Sequence, residues 1–185
     1  MDSRILTVPN QLTFLRFVFL PFFIICIWYN RYDWALGVLI FAAVTDLLDG
    51  VLARRLNQKT QLGAYLDPIA DKLLLSSSFL LLALKHKVFW WLTILVLARD
   101  LLMLVTAAAI LLVVGYRPFP PSLYGKFTTF AQILYIFLVV ASTAMNYAAL
   151  DILEEVFVFI VAGFTIFSGV HYSFVIAKRL SGPPT

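Results

Sequence analysis

Asp46-Leu47-Leu48-Asp49-Gly50-Val51-Leu52-Ala53-Arg54, eight further residues, then Gly63-Ala64-Tyr65-Leu66-Asp67-Pro68-Ile69-Ala70-Asp71: this stretch decides how the chain is read. It places four aspartates inside a sequence that is otherwise suited to lipid. A carboxylate near the centre of a bilayer costs about 2.5–3.5 kcal/mol on insertion scales, so four of them require a compensating partner. Bound cations are the simplest one. Asp46, Asp49, Gly50, Ala53 and Arg54 fall at i, i+3, i+4, i+7 and i+8, the spacing of one helical face. Asp67 and Asp71 are one turn apart on a following helix. An antiparallel pair would bring the two faces together. Four hard oxygen donors around one cavity suit magnesium or manganese, as a single ion or a pair. Gly50, Ala53 and Gly63 leave room for a bulky ligand, and Arg54 offers a planar fork to a phosphate.

The surrounding composition sets the class. The chain has 185 residues, of which 62% are hydrophobic and only 13% charged; its mean hydropathy is +0.94. Ordinary soluble domains are about 45–50% apolar. Apolar runs of about 20 residues, enough to span a bilayer, recur along the chain. The sequence therefore reads as an all-α integral membrane protein, one domain over residues 1–185. Six transmembrane helices are expected at about 12–30, 34–56, 64–84, 88–115, 123–147 and 152–177. A short N-terminal segment, Met1 to Val8, is expected to lie at the interface, with Asn10 capping the first helix. The apolar run ending at Trp28-Tyr29-Asn30 has no small-x-small cleavage site, so it reads as a retained helix.

Charge orients the bundle. Arg4, Arg16, Arg54, Arg55, Lys59, Arg117, Lys126, Lys178 and Arg179 fall on one side, against Arg31, Lys85 and Lys87 on the other, which also carries Asp151, Glu154 and Glu155, read as an acidic loop between the fifth and sixth spans. The positive-inside rule puts both termini, and the Asp46–Asp71 stretch, in the cytoplasm. The net charge of +4 is then a loop property and calls for no nucleic acid. Trp28, Trp34, Trp90 and Trp91 fall near span ends, where interfacial aromatics belong. The lone Cys26 sits in an apolar run and reads as packing.

Two plainer readings compete for the aspartates. Small residues on a helix face often serve helix packing alone, and intramembrane carboxylates also line ion pathways. Packing does not account for four carboxylates whose nearby bases are only Arg54, Lys72 and Arg99. A divalent-cation transporter remains the alternative of a different class.

The stretch resembles the signature of the CDP-alcohol phosphotransferases, D-x2-D-G-x2-A-R-x8-G-x3-D-x3-D, with all eight fixed positions filled at the right spacing. At about one in fifteen per position, a chance match is on the order of 10⁻⁹ per start. The resemblance implies a membrane phosphatidyltransferase, an enzyme of phospholipid biosynthesis. It would hold two divalent ions, Mg2+ or Mn2+, through Asp46, Asp49, Asp67 and Asp71, with Asp71 also the general base. Asp49, Gly50, Ala53, Arg54 and Gly63 would seat the CDP group of the donor, CDP-diacylglycerol, and CMP would be released. A homodimer in the plasma (inner) membrane is also implied.

The acceptor is read from outside the signature. Val8-Pro9-Asn10-Gln11-Leu12-Thr13 and Arg16 resemble the opening of phosphatidylglycerophosphate synthases, whose acceptor is glycerol 3-phosphate. That branch favours Gly-Lys-x-Lys-Thr in the fifth helix, where this chain has Gly125-Lys126-Phe127-Thr128-Thr129. It favours Ala-Arg-Glu in the fourth, where this chain has Ala98-Arg99-Asp100. Arg-Asp is closer to the eukaryote-type cardiolipin synthases, which use phosphatidylglycerol. Arg99, Arg117 and Lys126 could bind an acceptor phosphate; the plainer readings are a bundle-internal ion pair for Arg99, a solvated loop for Arg117 and snorkelling for Lys126. His171 reads as a hydrogen-bonded bundle residue and His86 as solvated.

Overall fold

The computed structural model describes the backbone of residues 8–56, 61–114 and 123–180, and the side chains of 18–45, 72–105 and 124–172. Six α-helices follow in order: α1 (Val8–Trp28), α2 (Tyr32–Leu56), α3 (Gln61–Leu84), α4 (Trp90–Val114), α5 (Leu123–Met145) and α6 (Ala148–Leu180). The all-α expectation is met and each helix overlaps an expected one. The interfacial reading of Met1 to Thr7, the loops holding Lys59 and Arg117, and the tail after Leu180 lie outside the described residues.

Two boundaries differ from the sequence reading. Asn10 lies inside α1, which begins at Val8. Pro9 is tolerated there because the first helical turn has no use for its missing N–H. Asp151, Glu154 and Glu155 belong to the start of α6, not to a loop. Carboxylates are favoured near a helix N-terminus, where the unpaired amides leave partial positive charge, so the acidic run opens a helix.

The turns α1–α2, α3–α4 and α5–α6 share one device. Asn30, His86 and Asn146 take left-handed φ values of 58°, 55° and 50°. After α1, the Arg31 amide donates back to the Cys26 carbonyl (2.8 Å) and the Asn30 amide to Ile27 (3.0 Å). After α3, the Lys87 amide reaches Leu82 (2.9 Å) and the His86 amide Ala83 (3.0 Å). These bonds satisfy carbonyls that a helix end leaves orphaned. Asparagine is the usual non-glycine choice for such a position; histidine is not.

The core is built from Phe23, Ile27, Leu75, Phe79, Leu82, Leu92, Val96, Tyr135, Val139 and Val161, each with at most 2% of its surface exposed. Tyr135 stacks on Phe79 with ring centroids 6.0 Å apart. Small and hydroxylated side chains are buried between helices too: Ala35, Ala83, Ala141, Ser78, Thr93 and Ser168. Meanwhile Phe22, Phe41, Leu104, Phe130 and Phe159 stand exposed. Small residues inside and large apolar ones outside is the arrangement of helices that associate by close packing in lipid, and far exceeds the apolar surface a soluble monomer shows. Among the described residues, the stretch Tyr124–Met145 is long and apolar enough to cross a bilayer.

Packing partners position the signature. α1 packs on α2 and α3, α5 on α6, α2 and α3, and α4 on α6 and α3. Over the described residues α2 and α3 make no close backbone contact with one another; both lie against α1 and α5.

Trp28, Trp34, Trp90 and Trp91 gather at the end of the bundle opposite the signature, all exposed. Cations cover them. Lys85 Nζ sits 5.3 Å from the Trp28 ring centre and donates to the Trp28 carbonyl (2.6 Å). The Arg31 guanidinium lies 5.9 Å from Trp34, and Lys87 Nζ 5.8 Å from Tyr32. Such contacts are worth about 0.5–1 kcal/mol each when exposed. Cys26 is partly buried against the core, as packing requires.

Candidate active site

The second half of α2 carries Asp46, Asp49, Gly50, Ala53 and Arg54, and the first half of α3 carries Gly63, Asp67 and Asp71. Both segments are helical throughout, so the i, i+3, i+4, i+7, i+8 spacing does fall along one side of α2 and the i, i+4 pair along one side of α3. The two segments sit at the same end of the bundle, α2 finishing where α3 begins. Their side chains lie outside the described residues. As a donor set, four carboxylates suit hard divalent cations. Among the described residues no group of three His, Cys, Asp or Glu side chains could hold a metal, so these four aspartates remain the candidates.

The described structure resumes at Lys72, and the chain turns polar there. Lys72 Nζ donates to Asp100 Oδ1, joining α3 to α4. Arg99 Nη1 donates to the same oxygen at 2.7 Å, and Arg99 Nη2 to Ser168 Oγ on α6 at 2.9 Å. The side chains of Arg99 and Asp100 are 3% and 4% exposed, that of Lys72 22%. Three helices thus meet on one carboxylate and one guanidinium. Gly169 leaves room beside it: a Cβ there would stand 3.9 Å from Arg99 Cγ. Among the described residues Arg99 Nε and Asp100 Oδ2 have no hydrogen-bond partner. Removing one member of a buried pair typically costs about 3–5 kcal/mol, because the other charge is left uncompensated.

A polar row continues along α5 and α6. Thr128 Oγ1 donates to the Tyr124 carbonyl (2.8 Å) and reaches the Phe164 carbonyl (3.2 Å). Gln132 Nε2 donates to Thr165 Oγ1 at 3.4 Å. Thr128 is fully buried, so the position where the synthase motif carries a second lysine is here a helix-packing hydroxyl. Lys126 is exposed near the start of α5. His171 lies against the Tyr124 ring (4.9 Å between centroids) and stacks on Phe167 (6.5 Å): a half-buried ring in an aromatic cluster.

Of the three candidate acceptor-phosphate residues, Arg99 already spends both terminal nitrogens inside the protein, Lys126 is exposed, and Arg117 lies outside the described residues. No bond joins Arg99 to Lys126 among the described residues. Ser168, the partner of Arg99, was not singled out by sequence. Its only signal is the small pair Ser168-Gly169 within the apolar run of α6.

A cavity of about 500 Å3 opens at the tryptophan end, lined by His86, Lys87, Trp90, Asn146, Glu154 and Glu155 among others. Nearby, Ser142 Oγ donates to Asp151 Oδ1. This cavity is at the wrong end of the bundle to serve the signature aspartates.

Comparison with known proteins bears on the whole arrangement. The model of the CDP-alcohol phosphatidyltransferase family matches residues 6–167. Curated proteins named CDP-diacylglycerol–glycerol-3-phosphate 3-phosphatidyltransferase are similar. The one from Pseudomonas fluorescens is 46% identical over 89 residues, 46% of this chain and 45% of that protein. The one from Yersinia enterocolitica is 43% identical over 89 residues (46% and 48%). The one from Salmonella typhimurium is 42% identical over 87 residues (45% and 47%). The chain spans about half the length of the curated relatives it matches.

Proposed function

We propose, from the premise that this chain belongs to the CDP-alcohol phosphatidyltransferase family, that it moves the phosphatidyl group of CDP-diacylglycerol to glycerol 3-phosphate and releases CMP. The observation that carries this is the complete eight-position signature, which runs from the second half of α2 into the first half of α3 inside the matched region. The names of the similar proteins support the donor and the acceptor.

On this reading the chain is one membrane domain of six spanning helices. The exposed apolar faces and the tryptophan belt support that, and the count of basic residues supports cytoplasmic termini. Asp46, Asp49, Asp67 and Asp71 would hold two divalent cations, Mg2+ or Mn2+, which when bound neutralise the donor diphosphate and the charge on departing CMP. Gly50, Ala53 and Gly63 admit the cytidine diphosphate against the backbone, and Arg54 grips its phosphate. Asp71 takes the proton of the acceptor hydroxyl. That oxygen bonds to the phosphorus bearing diacylglycerol as the bond from phosphorus to the CMP oxygen breaks, and CMP leaves with the electron pair. Lys126, exposed near the inner end of α5, and Arg117 draw the acceptor phosphate to the site.

The test is purified protein with Mg2+ or Mn2+ and labelled CDP-diacylglycerol. CMP should appear only when glycerol 3-phosphate is added, and Asp71→Asn should abolish it in a folded protein. CMP release with phosphatidylglycerol alone would make the chain a cardiolipin synthase. No release with any alcohol, together with metal flux into vesicles, would make it a transporter.

A further inference from the structure

We infer that Asp100 is a positioning residue for the aspartates of α3, acting through Lys72; the inference rests on the phosphatidyltransferase reading above. Lys72 follows Asp71 directly, and on a helix of 3.6 residues per turn the two point about 100° apart. Whatever fixes the direction of Lys72 therefore fixes the azimuth of Asp71, and of Asp67 one turn away. Lys72 is fixed by Asp100, whose Oδ1 accepts from both Lys72 Nζ and Arg99 Nη1. Asp100 is itself immobilised: it is 3% exposed, and Arg99 is tied on to Ser168 of α6.

The outer half of α3 is held by buried Leu75, Phe79 and Leu82. Those contacts are apolar and allow a helix to roll by small angles. A roll of roughly 15° would move a carboxylate about 6 Å from the helix axis by about 1.5 Å. Metal–oxygen distances tolerate about 0.2 Å. The ion pair supplies the directional restraint that apolar packing does not. Asp100 touches neither substrate nor metal in this account.

The experiment uses Asp100→Asn, Lys72→Met and the double variant of the full chain in detergent. Turnover is read by CMP release, and metal binding by loss of the free Mn2+ signal in electron paramagnetic resonance. Misplacement of about 1 Å predicts a kcat about 10–100-fold lower in Asp100→Asn. KM for CDP-diacylglycerol should change by less than about threefold, and half-saturating Mn2+ should rise at least about fivefold. Because the two residues act as one unit, the double variant should be no worse than the worse single. Losses that multiply, or unchanged Mn2+ binding at the wild-type melting temperature, would overturn the inference. If Asp100→Asn does not fold, Asp100→Glu keeps the charge and displaces it by one methylene. Partial losses in kcat and Mn2+ binding then support the inference, and wild-type values in both refute it. Mn2+ binding needs no acceptor. A wild-type protein inert toward glycerol 3-phosphate would therefore refute the acceptor while the Asp100 comparison stands.

Discussion

Replacing Tyr135 with phenylalanine should make the protein more stable. Tyr135 is fully buried in the centre of α5, stacked on Phe79 with centroids 6.0 Å apart, and among the described residues its hydroxyl has no hydrogen-bond partner. A buried polar group without a partner costs about 1–3 kcal/mol. Phenylalanine keeps the ring, the stack and nearly all of the volume, so only the penalty and a few dispersion contacts are lost. The net gain should be about 1–2 kcal/mol. In a chain of this length that raises the melting temperature by roughly 2–8 °C. The assay is thermal unfolding of both proteins in the same detergent at the same lipid content. Tyr147→Phe is the control: Tyr147 is 64% exposed, and its change should stay within about 0.5 kcal/mol. A Tyr135→Phe protein less stable than wild type by more than that would show that the hydroxyl is bonded, through a bound water, and would refute the reasoning.

Other outcomes follow from the turns and the glycines. Arg31 Nε and Nη2 both donate to the Asp33 carboxylate at 3.3 Å, which holds its pKa below the usual range. That contribution is present above the ordinary aspartate range and is lost as pH falls through the lowered pKa. Wild type should therefore lose melting temperature relative to Asp33→Asn between pH 5 and pH 2, and parallel profiles would refute the coupling. His86→Gly relieves a left-handed residue at the end of α3 and should stabilise by about 0.5–1 kcal/mol in denaturant titration. Gly169→Ala places its methyl 3.9 Å from Arg99 Cγ, an ordinary contact; it should be tolerated and gain up to about 1 kcal/mol of helix propensity, whereas a large loss in thermal unfolding would refute the room beside Arg99.

Much of the fold is legible in the sequence because it depends on local rules. Alternating apolar runs and polar breaks place six helices, and the spacing of the aspartates is helical on both α2 and α3. The errors also have local causes. Asp151, Glu154 and Glu155 read as loop residues because they are charged, yet a helix start attracts carboxylates. Asn10 reads as a cap because the rule weighs residue type, while Pro9 sits comfortably within the first turn. For the candidate site, what the sequence makes legible is the helical placement of residues close in the chain, from Asp46 to Asp71. The site is not legible where contacts are distant. The engagement of Arg99 with Ser168 spans 69 positions, and no periodicity in α4 announces a partner on α6. The same holds for Thr128, whose second acceptor is the Phe164 carbonyl 36 residues on.

The tryptophan belt sets a depth gauge. On the six-span reading Trp34 marks the outer interface, and Asp46 follows it by 12 residues on the same helix, about 18 Å at 1.5 Å per residue. A hydrocarbon core is about 30 Å thick, so Asp46 lies some 12 Å short of the inner headgroups and Asp49 about 8 Å short. The diphosphate of the proposed lipid donor would then have to come below the plane of its neighbours, or the bilayer would have to dimple to meet the protein. On the proposed transferase reading, bilayer thickness would thereby control turnover: short-chain lipids would bring the headgroup plane down to the aspartates, and long-chain lipids would strand them.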